Sequence, residues 1–477
     1  MKITSLTSRI MLVLCPLLLV ACMVGPDYVR PTPVETMPTA YKELEGWKVA
    51  QPRDCQIPER WWELYNDPIL NSLVEQVAIS NLTIASAEAQ FRQARALVQA
   101  ARAGYFPSVS AGASATRSYT PGNPDAGNSG GSTGSGFQLL LDATWELDLW
   151  GRIRRGVEAS QAGAQASAAD LAAITLSTQA ELVSDYLQLR VQDAQKQLLD
   201  DTTTIYRKSL ELTKKRYTAG VTAKLDVLQA ETQLKSAEAQ TIDLGIQRAQ
   251  LEHAIALLIG KPPATFSLPS MSFATAIPLI PTAGLPSELL ERRPDIASSE
   301  RKMAAANALI GIAKAAYFPT ISLSAAAGIG ASSLASWFVW PSRFWSIGPA
   351  AAATLFDGGL RRAQSDQAWA AYDATVAAYR ETVLTAFQEV EDNLAALRIL
   401  EEEAQVQDQT VQAAQQVVNI SMSQYQAGTV SYLNVIVAQS TALNNERTAL
   451  GLLGRRLIAS VLLVKALGGG WISEKPN

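Results

Sequence analysis

The feature that most constrains this 477-residue chain is that it is written twice. Ala101-Arg102-Ala103-Gly104-Tyr105-Phe106-Pro107 recurs 212 residues on as Ala313-Lys314-Ala315-Ala316-Tyr317-Phe318-Pro319. At the same offset Ile84-Ala85-Ser86 and Glu88 match Ile296-Ala297-Ser298 and Glu300. Tyr217-Thr218-Ala219-Gly220 returns as Tyr425-Gln426-Ala427-Gly428, 208 on, and Gly151 with Arg154-Arg155 returns as Gly358 with Arg361-Arg362, 207 on. Ordered markers with so little drift imply two structurally equivalent halves. Residues 61–268 form the first repeat and 286–468 the second, with 269–285 as linker, 22–60 as an N-terminal extension and 469–477 as a tail.

Each half reads as helix, strand, strand, long helix, turn, helix. From Phe137 the odd positions run Phe137, Leu139, Leu141, Ala143, Trp145, Leu147, Leu149, alternating with Gln138, Asp142, Thr144, Glu146 and Asp148. That period of two is long enough to cross a bilayer at barrel tilt, and the acidic positions fit a water-facing interior. In the second half Ile321, Leu323, Ala325, Ala327 and Ile329 alternate with small polar residues, and a partner strand carries Ile347, Ala351, Ala353 and Leu355. The first strand, Phe106 to Arg117, is the weakest, built of Ser, Ala and Gly around Val109. A soluble half-buried hairpin shows the same period. Two features favour membrane: Thr120 to Gly136 reads as a Gly/Ser/Asn/Pro external loop, and Trp337, Phe338, Trp340, Phe344 and Trp345 resemble an interfacial aromatic girdle.

The helices are long. No proline lies between residues 125 and 261 or 350 and 475. Apolar or aromatic residues recur from Trp369 through Tyr372, Val376, Tyr379, Val383, Phe387, Val390 and Leu394 to Leu397, the 3.5-residue mean of a left-handed coiled coil. A helix from Leu360 to Tyr425 would be about 100 Å long. Both long helices end at an Ala-Gly pair, Ala219-Gly220 and Ala427-Gly428, where glycine can take the left-handed conformation that stops a helix. The chain then restarts as helix, giving each half an antiparallel hairpin with its tip far from the strands.

Four strands cannot close a membrane barrel, since the smallest have about eight, and open edges in lipid leave backbone groups unpaired. Copies of the same chain must complete the sheet: two give eight strands, three twelve and four sixteen, and twelve or more can hold an aqueous lumen. The fold class is thus mainly α with a membrane β-barrel portion, continued by a helical tunnel.

Counts exclude much else. One histidine, His253, and three cysteines make metal sites and Ser–His or Cys–His catalysis improbable, and no cofactor motif is complete. Two overlapping G-x-S-x-G matches at 127–134 are what a Gly/Ser-rich loop produces by composition. With 40 basic and 44 acidic residues and no basic block, the footprint of a nucleic-acid binder is missing. Lys2 and Arg9 precede an apolar run ending Leu19-Val20-Ala21-Cys22, which reads as a signal peptide over 1–21. Its end resembles a lipobox, which would make Cys22 the acylated first residue; a plain secretory leader is the alternative.

These residues resemble the outer-membrane factors of tripartite efflux pumps, the TolC/OprM group and in particular its NodT-like lipoprotein branch. The resemblance rests on Trp61-Trp62-Glu63-Leu64-Tyr65-Asn66-Asp67-Pro68-Ile69-Leu70, on the Arg-Arg-Pro-Asp-Ile segment ending Leu285 to Ile296, on Leu355-Phe356-Asp357-Gly358-Gly359, and on the two Tyr-x-Ala-Gly tips. It implies a homotrimer with a twelve-stranded barrel and a helical tunnel, no catalysis, and as partners a periplasmic adaptor, an inner-membrane pump commonly of the RND class, and outer-membrane lipid. It marks Ala219, Gly220, Ala427 and Gly428 as adaptor-contacting tips. Relatives often close the tunnel with a carboxylate ring in a Leu-x-x-x-Asp-Ala-Gln setting. Here Leu433-Asn434-Val435-Ile436-Val437-Ala438-Gln439 puts Val437 at that place, so Leu433, Asn434 and Val437 would form a more apolar periplasmic gate, unless Val437 is ordinary coiled-coil packing. A type I secretion duct and a non-porous lipid-anchored scaffold are the alternative functions. Arg292-Arg293 reads as capping and salt-bridging at a helix junction rather than an anion site.

Overall fold

The computed structural model describes residues 23–34, 37–38, 40–44, 58–121, 131–271 and 292–471; Cys22 and Cys55 lie outside them. The helices are α1 (Pro68–Ser80), α2 (Leu82–Ala103), α3 (Arg152–Thr218), α4 (Lys224–Leu258), α5 (Pro294–Ala315), α6 (Leu360–Ala427) and α7 (Tyr432–Ala466). The strands are β1 (Ser108–Thr120), β2 (Ser132–Leu147), β3 (Thr320–Ala331) and β4 (Arg343–Ala352), antiparallel in the order β1-β2-β3-β4. The second half has the expected order of helix, strand, strand, long helix, turn, helix; the first has it too, with one further helix, α1, ahead of α2. Two compact units draw on both halves: one on Met1–Thr32, Phe91–Ser167 and Ser299–Tyr379, the other on Pro33–Gln90, Ala168–Ser298 and Arg380–Asn477.

The repeated markers are junctions between helix and strand. Tyr105-Phe106-Pro107 and Tyr317-Phe318-Pro319 each follow a tightened last turn, with Phe106 N–H donating to Ala103 O (3.1 Å) and Phe318 N–H to Ala315 O (3.0 Å). Proline then forbids further helix and sends the chain into a strand. At the far end of each strand pair an aspartate restarts helix. Asp148 accepts from the Ile153 and Arg154 amides (3.0 and 2.8 Å), and Asp357 from those of Gly359 and Arg361 (3.0 and 3.3 Å). Asp148 is therefore a helix cap and not a lumen group, and Glu146 is paired to Arg152 at 2.6 Å. Of the three acidic residues expected to face water, Asp148 is the one drawn into a cap, because short-range capping of an orphan helix start outcompetes solvation, while Asp142 and Glu146 stay on the polar side of the sheet opposite Ser110 and Ser322.

Strand bounds differ from those expected, for a reason in the pairing. Ser132 to Gly136 belongs to β2, since each residue has a partner in β1 from Thr120 back to Thr116. Ladder pairing satisfies the backbone there whatever the side chains prefer. Conversely β4 stops at Ala352, because Thr320, its partner, is the first residue of β3; Ala353 and Leu355 have nothing to pair with.

In the unit containing the strands, residues 23–30 form a strap. Val24 N–H donates to Trp150 O (3.2 Å), Asp27 pairs with buried Arg155 (2.8 Å), Pro26 O accepts from Asn307 (3.0 Å) and Tyr28 donates to Glu300 (2.9 Å). Gly25, at φ +109°, packs so closely that a Cβ would lie 2.5 Å from Gly311 Cα. In the helical unit Trp61, Trp62 and Tyr65 pack with Leu70, Val74 and Leu187 in the main core. Asp67 caps α1 through the Ile69 amide (2.8 Å) and accepts from Tyr186 (2.6 Å), while Tyr65 meets Ser460 at 2.7 Å. Arg293 donates to the Ala466 carbonyl at the end of α7 and pairs with Asp295 and Glu389, both at 2.6 Å. This is the capping and salt-bridging role expected of the Arg-Arg pair, carried by its second member.

Candidate functional site

The sheet's register aligns chemistry across all four strands. Directly paired residues share a face, and one face collects Ala111 and Ala113, Leu139 and Leu141, Ala327 and Ile329, Trp345 and Ile347. The other collects Ser110 and Ser114, Gln138, Asp142 and Thr144, Ser322 and Ser324, and Ser346. The apolar face runs along β2 from Phe137 to Leu147, eleven residues, which at barrel tilt makes a band of roughly 25 Å. That is about the height of the outward apolar band of a membrane barrel. Among the described residues no helix is long and apolar enough to cross a membrane, so the sheet is the element suited to it. Among the described residues β1 and β4 have no partner on their outer edges.

The aromatic cluster divides between the two faces. Trp345 lies on the apolar side, and Trp340 stacks under Arg343, whose guanidinium sits 4.4 Å from the ring. Phe344, expected in the same girdle, pairs with Gly328 on the polar face. A Cβ at Gly328 would run into the Leu139 carbonyl and come within 2.8 Å of the Phe344 ring, so the glycine makes room for both the adjacent strand and that phenylalanine. Composition flagged five aromatics, but only the register could sort them.

At the hairpin tips both glycines are left-handed, Gly220 at φ +70° and Gly428 at φ +80°. The closing bonds are homologous: Val221 N–H donates to Arg216 O (2.8 Å) and Thr429 N–H to Gln424 O (3.0 Å), satisfying carbonyls the helix end would orphan. Ala219, Gly220, Ala427 and Gly428 are all exposed. Just behind them Tyr206, Tyr425 and Tyr432 are buried with Leu210, Leu234 and Val435. The rings of Tyr425 and Tyr432 lie 5.2 Å apart, and Arg216 donates to Gln426 O (3.0 Å) with its guanidinium 4.8 Å from the Tyr425 ring. Sequence reasoning missed this tyrosine and arginine set. Its one signal was that Tyr425 and Tyr432 flank the Ala-Gly pair within two turns.

Leu433, Asn434 and Val437 are together on the exposed side of α7, while Tyr432, Val435, Ala438 and Gln439 fill the buried side. Leu433 and Val437 are 51% and 57% exposed, one turn apart, so Val437 does not serve packing within this subunit. Leu433 also borders a groove between the starts of α4 and α7.

Farther up α3, burial and the neighbouring Glu181 carboxylate raise the Asp185 carboxyl to about 6. The folded chain therefore holds a proton that the unfolded chain has lost above about pH 4, so stability falls as pH rises through the interval up to about 6. Asp185→Asn is expected to remove that slope and to raise the denaturant midpoint at neutral pH, as urea titrations followed by circular dichroism at acidic and neutral pH will read. A difference between wild type and Asp185→Asn that is the same at acidic and neutral pH refutes it.

A family model described as outer membrane efflux protein matches residues 73–261 and 285–469. The toluene efflux pump outer membrane protein TtgC of Pseudomonas putida is 31% identical over 469 residues, 98% of this chain and 96% of the relative. The pyoverdine export outer membrane protein OpmQ of Pseudomonas aeruginosa is 32% identical over 428 residues, 88% and 90% of the two chains. Among solved structures, the outer-membrane channel OprN superposes with a TM-score of 0.86 at 32% identity, covering 94% of this chain and all of the other. The open-state MtrE channel of Neisseria gonorrhoeae gives 0.81 at 28%, covering 94% and 98%. The chain therefore belongs to the outer membrane efflux protein family and serves as the outer-membrane channel of an efflux system.

Proposed function

We propose that three copies of this chain close a twelve-stranded barrel in the outer membrane and that their helices line a passive duct, fed through a periplasmic adaptor by an inner-membrane pump of the RND class. The observation that carries this reading is the four-stranded sheet with one continuous apolar face and both edges open. In lipid such edges are too costly to leave unpaired. Cargo would be small organic toxicants, as the names of the toluene and antibiotic efflux relatives suggest. Acylation at Cys22 is supported by the strap: Val24, two residues on, is held at the foot of β2. Ala219, Gly220, Ala427 and Gly428 would meet the adaptor, and Leu433, Asn434 and Val437 would ring the periplasmic entrance.

The test is planar-bilayer recording of the detergent-extracted protein, its subunit number measured by mass. Three subunits and discrete conductance steps are expected; a stable single subunit without conductance refutes the reading. In the same recordings Val437→Asp is expected to shift selectivity toward cations, because carboxylates converging on the axis attract them. Unchanged conductance and selectivity would remove Val437 from the entrance.

A further inference from the structure

The two hairpin tips, alike in backbone, differ in charge: one is cationic and the other uncharged. Between Arg207 and Asp226 the first carries six cations and two carboxylates, a net +4 in a chain whose overall formal charge is −4. The second carries no charged residue from Gln409 to Asn445. Two of the six cations are engaged, Arg207 with Glu238 at 3.4 Å and Arg216 with the second tip. Lys208, Lys214, Lys215 and Lys224 are exposed, and among the described residues their ammonium groups make no hydrogen bond or ion pair. Glu211, on the same stretch of helix, pairs with none of them. Beside Lys224 lie Val221, Leu225 and Leu228, all more than half exposed. Leu225 and Leu228 face Leu433 and Ile436 across the groove between α4 and α7, a space of about 630 Å³. The groove is lined by those apolar side chains and by uncharged amides and hydroxyls such as Gln229, Gln233, Ser440 and Asn444, and α4 begins at Lys224 of the cationic tip; such a groove suits an amphipathic helix that carries carboxylates toward the first tip.

We propose that the first tip is the electrostatic half of the adaptor-docking surface: Lys208, Lys214, Lys215 and Lys224 receive carboxylates of an adaptor helix whose apolar ridge lies in the α4–α7 groove. This rests on the reading that the tips meet the adaptor, and adds which tip supplies the charge and what the partner must present. The second tip, uncharged, contributes shape and amide contacts. Exposed pairs are individually weak, so four acting together set the order of the effect and make it salt-sensitive.

The experiment places a benzophenone photocrosslinker at exposed Tyr217 of the full-length protein in its own cells, with channel abundance in the outer membrane measured alongside. The expected result is an adduct with the periplasmic adaptor, mapped to a helix bearing acidic side chains. Replacing the four lysines by glutamine is expected to cut the adduct about fivefold or more at equal channel abundance. The four Lys→Glu changes are expected to abolish it, and acid-to-lysine changes in the mapped adaptor helix to restore it. An adaptor adduct as strong in the glutamine and glutamate variants as in the wild type overturns the charge assignment while leaving tip docking in place. No adaptor adduct in the wild type, or one only with lipid or another copy of this chain, overturns tip docking itself and the assignment with it.

Discussion

Asp193→Ala is expected to destabilise the helical unit by about 3–5 kcal/mol, the cost of stripping the partner from a buried charge. The Asp193 side chain is fully buried and lies between two cations, with Arg190 Nη1 at 3.0 Å and Arg248 Nε at 2.9 Å. Arg190 is itself 2% exposed, its other partners being the Pro269 carbonyl (2.8 Å) and the Tyr186 ring, 4.7 Å away. Arg248 donates also to the Leu268 carbonyl at 2.6 Å, so the carboxylate holds the pair of arginines that fastens residues 268–269 to α3 and α4. Removing it leaves Arg190 without a carboxylate in a poorly solvated space, while Arg248 keeps Glu252 at 3.3 Å. The double change Arg190→Met with Asp193→Leu is expected to recover most of the loss, because matched apolar groups need no compensation. Urea midpoints followed by circular dichroism check both; a loss below about 1 kcal/mol for Asp193→Ala, the level of an exposed pair, would show that water reaches the arginines.

That triad was not legible in the sequence. Arg190 and Asp193 are three apart on a helix and read as one more solvated pair; only the return of α4 with Arg248, 55 residues later, makes the site buried. What the sequence did carry was everything short-range and repeated. Gly151 with Arg154, and Gly358 with Arg361, marked the places where a strand ends and an aspartate caps the next helix, with the arginine reaching back to that aspartate at 3.3 and 2.6 Å. The tip glycines were legible because a helix end imposes a local backbone demand that few residues meet. Strand ends were less so. Ser132 to Gly136 has no alternation to read, and its inclusion in β2 follows from what lies opposite it in β1. Phe344 likewise could be assigned to the polar face only once Gly328 was seen beside it. The tip tyrosines fell between the two cases: their spacing was visible, but Tyr206, which completes the set, comes from a helix segment far from either glycine in the chain.

Leu141→Arg is expected to cost about 2–4 kcal/mol per subunit, the penalty for a cation on the lipid side near the midplane of a membrane barrel. Leu141 sits in the middle of the apolar band, opposite Ala111 on one side and Ala327 on the other, and is 56% exposed in the single subunit. Both neighbours are too small to shelter a guanidinium, and the arginine must stretch to reach an interface. Every subunit of a symmetric assembly carries the same defect, so the penalty multiplies with copy number and falls on insertion. The comparison that isolates the face is Ser324→Arg. Ser324 pairs with Thr144 and Gly348 on the polar side, three residues along from Leu141's partner Ala327 and still within the band, and there a cation meets water and alters conductance with little effect on insertion. The measurement is the fraction of each variant recovered from outer membranes as heat-resistant oligomer, with bilayer conductance of what is recovered. A large deficit for Leu141→Arg with near-normal recovery and altered conductance for Ser324→Arg identifies the leucine face as the lipid face. The opposite ranking would turn the sheet inside out and, with it, the placement of Asp142 and the serine rows along the water path.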